Sequence, residues 1–307
     1  MADEAVPAGA AAPLVGGGPL PPPPPPPAAA AAADAADAAM AAAAAAACTR
    51  LVLFDFDRTL FYAANSDEWV FEELAPDLLP LLHQRVRATG AAGWTAAINW
   101  ALGALPPRGI PAGALLGALR RAPWPADATV LLRRLAATPG VQVGIVSDAN
   151  AAYIDTILDA AGLGGGGRGE LLGAGVATNG AAVSPAGGLT VVPYTAGRQP
   201  HGCGRCPPNI CKGEVVTELL QERPNVRQVV YVGDGSNDVC PVLRLGPADI
   251  ALARQGMAME RELADLAACG DPALRARVTS WSTPADLLGL FRALTDPPAA
   301  AAAAPSA

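Results

Sequence analysis

Short apolar runs recur along the chain, and three of them lead into polar groups. Leu51 to Phe54 runs into Asp55, Val141 to Val146 into Ser147, and Gln228 to Val232 into Gly233 and Asp234, with Ile250 to Leu252 as a shorter fourth run. Runs of this kind mark strands buried on both faces of a parallel sheet. Between them the spacing turns helical. Asn65 or Ser66 caps a helix with Asp67 and Glu68 in its first turn and Trp69, Val70, Leu74 and Leu78 on its apolar face. From Asn65 to about Trp124 helical patterns are broken by Pro80, Pro106, Pro107 and Pro111, with no strand pattern. Trp124 to Asp127 opens a further helix carrying Val130, Leu131, Leu132 and Leu135, and Ser147 to Asn150 start another, which contains Tyr153, Ile154, Ile157 and Leu158 and closes at Gly162. Val176 to Val192 reads as a β-hairpin broken at Ser184 to Gly188. Helices from Lys212 to Leu220, Glu260 to Ala268, and Pro284 to Leu294, the last capped by Thr283, complete the pattern. Strand alternating with helix predicts an α/β fold: a doubly wound, Rossmann-like parallel sheet with a helical insertion between its first two units.

Composition trims this picture at both ends. Met1 to Ala47 is almost wholly Ala, Pro and Gly, with unbroken proline from Pro21 to Pro27, and the chain from Pro297 onward is similar. Such segments have little to pack, so residues 1–48 and 297–307 are expected as disordered tails. The core then comprises 49–62 and 126–296, with 63–125 as the inserted helical cap. The prolines also suit an SH3- or WW-like partner domain. Neither a secretory signal nor a transit peptide fits the acidic, Arg-free start, and no apolar run spans a bilayer, so a cytoplasmic protein is expected, with organelle import left open. With 28 acidic against 21 basic residues, the chain has no basic footprint for nucleic acid.

The polar groups at the strand ends carry the chemistry. Asp55 and Asp57, two apart in extended chain, leave on the same side, and carboxylates held that close repel unless a cation lies between them. A hard divalent ion with oxygen ligands, usually Mg²⁺, answers that need, with Asp55, Asp57 and Asp234 as its candidate ligands and Asp238 either a further ligand or a support behind them. The set fits hydrolysis of a phosphate ester: Asp55 attacks phosphorus, Asp57 acts as general acid and base, and Ser147 and Lys212 hold the phosphoryl oxygens. Phosphotransfer or a phosphomutase reaction shares the first step. A non-catalytic partner-binding protein on the same fold is the reading from another class, against which the retention of Asp55, Asp57, Lys212 and Asp234 weighs.

Asp55 to Thr59, Ser147, Lys212 and Gly233 to Asp238, in that order, resemble the four motifs of the haloacid dehalogenase superfamily of phosphatases. FDFDRT, NSDEWV, VSDAN, HGCGRCPPNICKG and GDGSNDVCP are similar to blocks of its phosphoethanolamine/phosphocholine phosphatase family, plant members included. That resemblance implies an aspartyl-phosphate mechanism on phosphocholine or phosphoethanolamine, with Asp67 and Asp148 meeting the cationic head. Thiamine monophosphate, pyridoxal phosphate and pyrophosphate are the competing substrates. The chain departs from the family at Tyr62, Ala63 and Ala64, where a polar, acid-containing loop is usual.

His201, Cys203, Cys206 and Cys211 include a Cys-x-x-Cys step that suggests zinc. Their remaining spacing is odd and the resemblance implies no structural metal, so a thiol-bearing loop over the site is the expectation. Cys240 and Cys269 read as small buried apolar residues. Gly164 to Gly169 reads as a flexible turn, lacking the Lys-Ser/Thr of a P-loop.

Overall fold

The computed structural model describes residues 48–90, 93–165, 168–185 and 187–295. Of the segments expected as tails, Cys48 is described and is buried; the rest, with their partner site, lie outside the described residues, as do 166 and 167 of the glycine-rich turn.

Seven strands form one sheet: β1 (Arg50–Phe54), β2 (Val141–Asn150), β3 (Gly175–Val183), β4 (Leu189–Val192), β5 (Gln228–Gly233), β6 (Ile250–Arg254) and β7 (Arg277–Trp281), in the order β4-β3-β2-β1-β5-β6-β7. All neighbours are parallel except β3 and β4, the expected hairpin. The alternation of a strand explains the two cores. In β1, Val52 and Phe54 face one apolar cluster, while Leu51 and Leu53 face the other; in β5, Val230 and Val232 oppose Val229 and Tyr231 in the same way.

The helices cover both faces. Between β1 and β2 lie α1 (Ser66–Leu74), α2 (Leu78–Thr89), α3 (Trp94–Gly103), α4 (Ala112–Leu119) and α5 (Ala126–Ala136), without a strand among the described residues. Val70, Phe71, Leu82, Ile98 and Leu115 from α1 to α4 pack into the same cluster as Phe54 and Phe56, and so do Leu131, Leu132 and Leu135 of α5. After β2 come α6 (Ala151–Ala160), the short α7 (Arg168–Leu171), α8 (Lys212–Gln221), α9 (Val239–Val242), α10 (Ala258–Ala268) and α11 (Pro284–Thr295). The other face is closed by Val215 and Val216 of α8 and Met259 and Leu263 of α10. A capping box starts α11: Asp286 N–H donates to Thr283 Oγ1 at 3.2 Å, and Thr283 N–H to the Asp286 carboxylate at 2.8 Å. Because β2 lies on one side of β1 and β5 on the other, the carboxyl ends of these strands form the crevice where such sheets bind ligands.

Several local expectations are revised. The stretch from Ser147 to Asn150 continues β2, through an irregularity between Val146 and Asn150, and Asn150 is the N-cap of α6, accepting from Tyr153 N–H at 3.1 Å. Ser and Asn are equally good caps, so the sequence did not separate them. The first helix of the insertion breaks after Leu74, and Leu78 belongs to the next one; Phe71, not Trp69, is its buried aromatic. Val130 is exposed, and so is Cys269. Strand β7 has no sequence signal because its side chains are mostly exposed or half-exposed.

Candidate active site

The apolar run of β1 carries Asp55 to the floor of the crevice, where its N–H donates to the Val232 carbonyl of β5 at 2.8 Å. Helix α8 begins with Lys212, whose side chain is only 1% exposed although it bears a charge. Its Nζ donates to Asp55 Oδ1 and to Asp238 Oδ1, both at 2.8 Å. Burial works against that charge, but Asp238 and then Asp55 outweigh it and hold the ammonium well above its ordinary range.

Asp238 is committed on all sides. Oδ1 also accepts from the Tyr231 hydroxyl at 2.7 Å, and Oδ2 from Asp234 N–H at 3.0 Å and Gly235 N–H at 2.9 Å. Gly233 allows this packing, since a Cβ there would stand 2.5 Å from Asp238 Cγ. The four donors leave Asp238 no lone pair aimed at a ligand. Carboxylate oxygens of Asp55, Asp234 and Asp238 nevertheless lie within 4.8 Å of one another. Asp234 takes none of the Lys212 and Tyr231 bonds, and burial beside Asp238 pushes its carboxyl up to about 6.

Asp57 stands apart from that group. Its Oδ1 accepts from Ser66 N–H at 2.8 Å, and its Oδ2 from Ser66 Oγ at 3.1 Å and Asn65 Nδ2 at 3.2 Å. These bonds tie its side chain to the start of α1, so the expected role as a metal ligand finds no support in its carboxylate. Burial pushes this carboxyl up to about 7, with the Ser66 bonds pulling the other way. Arg58, next in sequence, holds a left-handed φ of 54°, uncommon for a residue with a side chain. That turn is pinned from below, for Arg254 Nη1 donates to the carbonyls of Arg58 and Tyr62 and its guanidinium lies 3.8 Å over the Tyr62 ring.

Above this floor opens a cavity of about 490 Å³. Asp55, Asp57, Asp67, Asp148 and Asp234 line it, whereas Ser147, Lys212 and Asp238 lie beneath its surface. The Ser147 hydroxyl accepts from Ala149 N–H at 3.2 Å. Asp67 Oδ2 accepts from Trp94 Nε1 at 3.1 Å, while its buried Oδ1 has no partner among the described residues. Burial, then the nearby Asp57, raises this carboxyl well above its usual range. Asp148 is placed through its backbone: Asn179 Nδ2 donates to its carbonyl at 2.7 Å, and Asn179 Oδ1 accepts from Tyr194 N–H at 3.0 Å.

The cavity's carboxylates thus outnumber its cations, Arg58 and Arg205. The oxygens of Asp55 and Asp234 are the kind of donor set that could hold a hard cation. Sequence reasoning missed Tyr231, Trp94 and Arg205. Tyr231 reads as an ordinary apolar strand residue, Trp94 reaches the cavity from a helix with no motif of its own, and Arg205 is passed over within HGCGRCPPNICKG, where the cysteines and Lys212 carry the reading.

A family profile described as Putative Phosphatase matches residues 50–294. The pyridoxal phosphate phosphatase PHOSPHO2 of Mus musculus is 33% identical over 244 residues, 78% of this chain and 95% of that one. A thiamine phosphate phosphatase-like protein of Arabidopsis thaliana is 30% identical over 240 residues, 76% of this chain and 90% of its own. Among solved structures, a phospho-aspartyl intermediate analogue of phosphoserine phosphatase shares the fold, with a TM-score of 0.53 and 18% identity over 80% of this chain and 99% of that one.

Proposed function

Because the chain belongs to the Putative Phosphatase family, phosphoric monoester hydrolases on a haloacid dehalogenase-like fold, we propose that its cavity hydrolyses a small phosphate monoester with a cationic head, through an aspartyl-phosphate on Asp55. The observation that carries this reading is the Lys212 ammonium shared by Asp55 and Asp238 on the floor of a carboxylate-lined cavity.

An Asp55 oxygen attacks phosphorus, the bond from phosphorus to the ester oxygen breaks, and Asp57 gives that oxygen its proton. Asp57 then takes a proton from water, whose oxygen attacks phosphorus as the bond from phosphorus to Asp55 breaks, so inorganic phosphate leaves and both carboxyl groups are restored. Lys212 and Ser147 stabilise the transferring phosphoryl oxygens from beneath. Asp55 and Asp234 are the carboxylates free to hold Mg²⁺, which when bound neutralises phosphoryl charge. Asp238 serves as a positioning residue for Lys212 and for the turn that bears Asp234. Residues 63–125 act as a cap that supplies the head-group wall, Asp67 and Trp94.

A cationic head beside the unpartnered Asp67 oxygen would offset the burial that raises this carboxyl above its usual range, and that favours such a substrate. Phosphocholine and phosphoethanolamine meet that requirement, and so does the thiazolium of thiamine monophosphate, a compound of the kind named in the Arabidopsis relative. Pyridoxal phosphate is the second reading, favoured by the name of the Mus musculus relative and by the indole of Trp94 near the cavity wall. The test is phosphate release from phosphocholine, phosphoethanolamine, thiamine monophosphate, pyridoxal phosphate and pyrophosphate, with Mg²⁺ or EDTA, by the native chain and Asp55→Asn. Turnover of one cationic ester that vanishes with EDTA and in the variant supports the proposal. A folded, Mg²⁺-supplied protein that releases phosphate from none of them overturns it.

A further inference from the structure

Four cysteines that the phosphatase chemistry does not use come together, two of them in the loop whose Arg205 and Pro207 line the cavity. Cys203 and Cys206 in the loop before α8, Cys211 at its N-cap and Cys240 in α9 place their sulfurs within 4.8 Å of one another. All four are free. The Cys240 sulfur lies 3.6 Å from that of Cys203 and 3.8 Å from that of Cys211, far beyond the ~2.05 Å of a disulfide. Four sulfurs arranged tetrahedrally at ~2.3 Å from one ion are about 3.8 Å apart, and this is the spacing found. We infer that these cysteines bind one Zn²⁺ as a structural tetrathiolate site.

Three further features agree. Gly213 makes the space, because a Cβ there would stand 2.7 Å from the Cys240 sulfur and 3.2 Å from its carbonyl oxygen. Glu214 N–H donates to the Cys211 sulfur at 3.4 Å, the kind of outer bond that orients a thiolate ligand. His201, the fourth candidate by sequence, is turned away, with Nε2 against the Pro207 carbonyl at 2.9 Å. Soft sulfur ligands select zinc here, as hard oxygens select a Mg²⁺-type ion at Asp55 and Asp234, so the two sites do not compete. The site would brace the loop that carries Arg205 and Pro207 into the cavity wall, and would fix Cys211, immediately before Lys212. It does not depend on the phosphatase reading, since it uses none of those residues.

The experiment measures zinc by elemental mass spectrometry on the full chain, purified without chelator and dialysed against metal-free buffer. About one zinc per chain is expected in the native protein and in Cys269→Ser, falling below about a tenth in Cys203→Ser and Cys240→Ser. Should those variants not fold, Co²⁺ loading of the native chain decides: intense visible bands of tetrahedral cobalt thiolate, bleached by added Zn²⁺, support the site. Folded native protein that takes up neither metal, with the six thiols of the chain free to titrate, overturns it, as does full zinc retention in folded Cys203→Ser and Cys240→Ser.

Discussion

Replacing Asp238 by Asn distinguishes a positioning carboxylate from a metal ligand. The side chain is fully buried and accepts from Lys212, Tyr231, Asp234 N–H and Gly235 N–H. An amide keeps one acceptor oxygen, so whichever way it turns, two of those four donors face an NH₂ group. A hydrogen bond to a charged group contributes roughly 1.5–3 kcal/mol, and removing one partner of a buried ion pair costs about 3–5 kcal/mol. The two ranges meet, and a loss of about 3–5 kcal/mol is expected for Asp238→Asn, a large part of the ~5–15 kcal/mol of a typical domain. Because the bonds are within the protein, the loss should be the same with Mg²⁺ and with EDTA. Asp234→Asn should behave oppositely, leaving metal-free stability unchanged or raised and abolishing the gain in stability from added Mg²⁺. Urea midpoints of the native chain and both variants, with and without Mg²⁺, measure this. A loss below about 1 kcal/mol in EDTA, or one seen only with Mg²⁺, would refute the assignment and make Asp238 a ligand.

Gly233→Ala should mimic Asp238→Asn, since the new Cβ would displace that carboxyl group; a urea midpoint within error of the native value would contradict the packing. Trp94→Phe removes the donor to Asp67 Oδ2, so KM should rise several-fold for choline- or thiamine-bearing esters and little for pyrophosphate. Asp67 has a folded carboxyl raised above its unfolded value of ~3.9, so the folded state holds a proton that the unfolded chain releases; its contribution is present below that value and lost as pH rises through the folded one. Asp67→Asn should therefore raise the Tm of the ligand-free protein more at pH 8 than at pH 4, and an equal gain at both would count against this account.

The carboxylates of the cavity were legible where local sequence carries them. Asp55, Asp57 and Asp234 follow apolar runs, and a carboxylate at the end of a buried strand bears a desolvation cost that a cation or ligand offsets. What stayed hidden depends on distant pairing. For Asp238 the sequence leaves a metal ligand and a support for one both open, and the Tyr231 and Lys212 bonds that weigh toward support join separate elements. Cys240 reads as filler because its partners precede it by about thirty residues on another element. Ser147 and Asn150 offer the same capping chemistry three residues apart, and only the sheet register decides between them.

The apolar cluster that α1 to α4 share with one face of the sheet bears on how the molecule comes apart. Val70, Leu82, Ile98 and Leu115 belong to a core that also holds Phe54 of β1 and Phe291 of α11. Swinging this insertion away from the sheet would expose that surface to water, at about 25 cal/mol for every Å² uncovered. Among the described residues the insertion has no separate core on which to remain folded. Heating should therefore melt the insertion and the sheet as one cooperative unit, with equal calorimetric and van't Hoff enthalpies, and native-state hydrogen exchange should give the buried amides of α1 and β1 a common opening free energy.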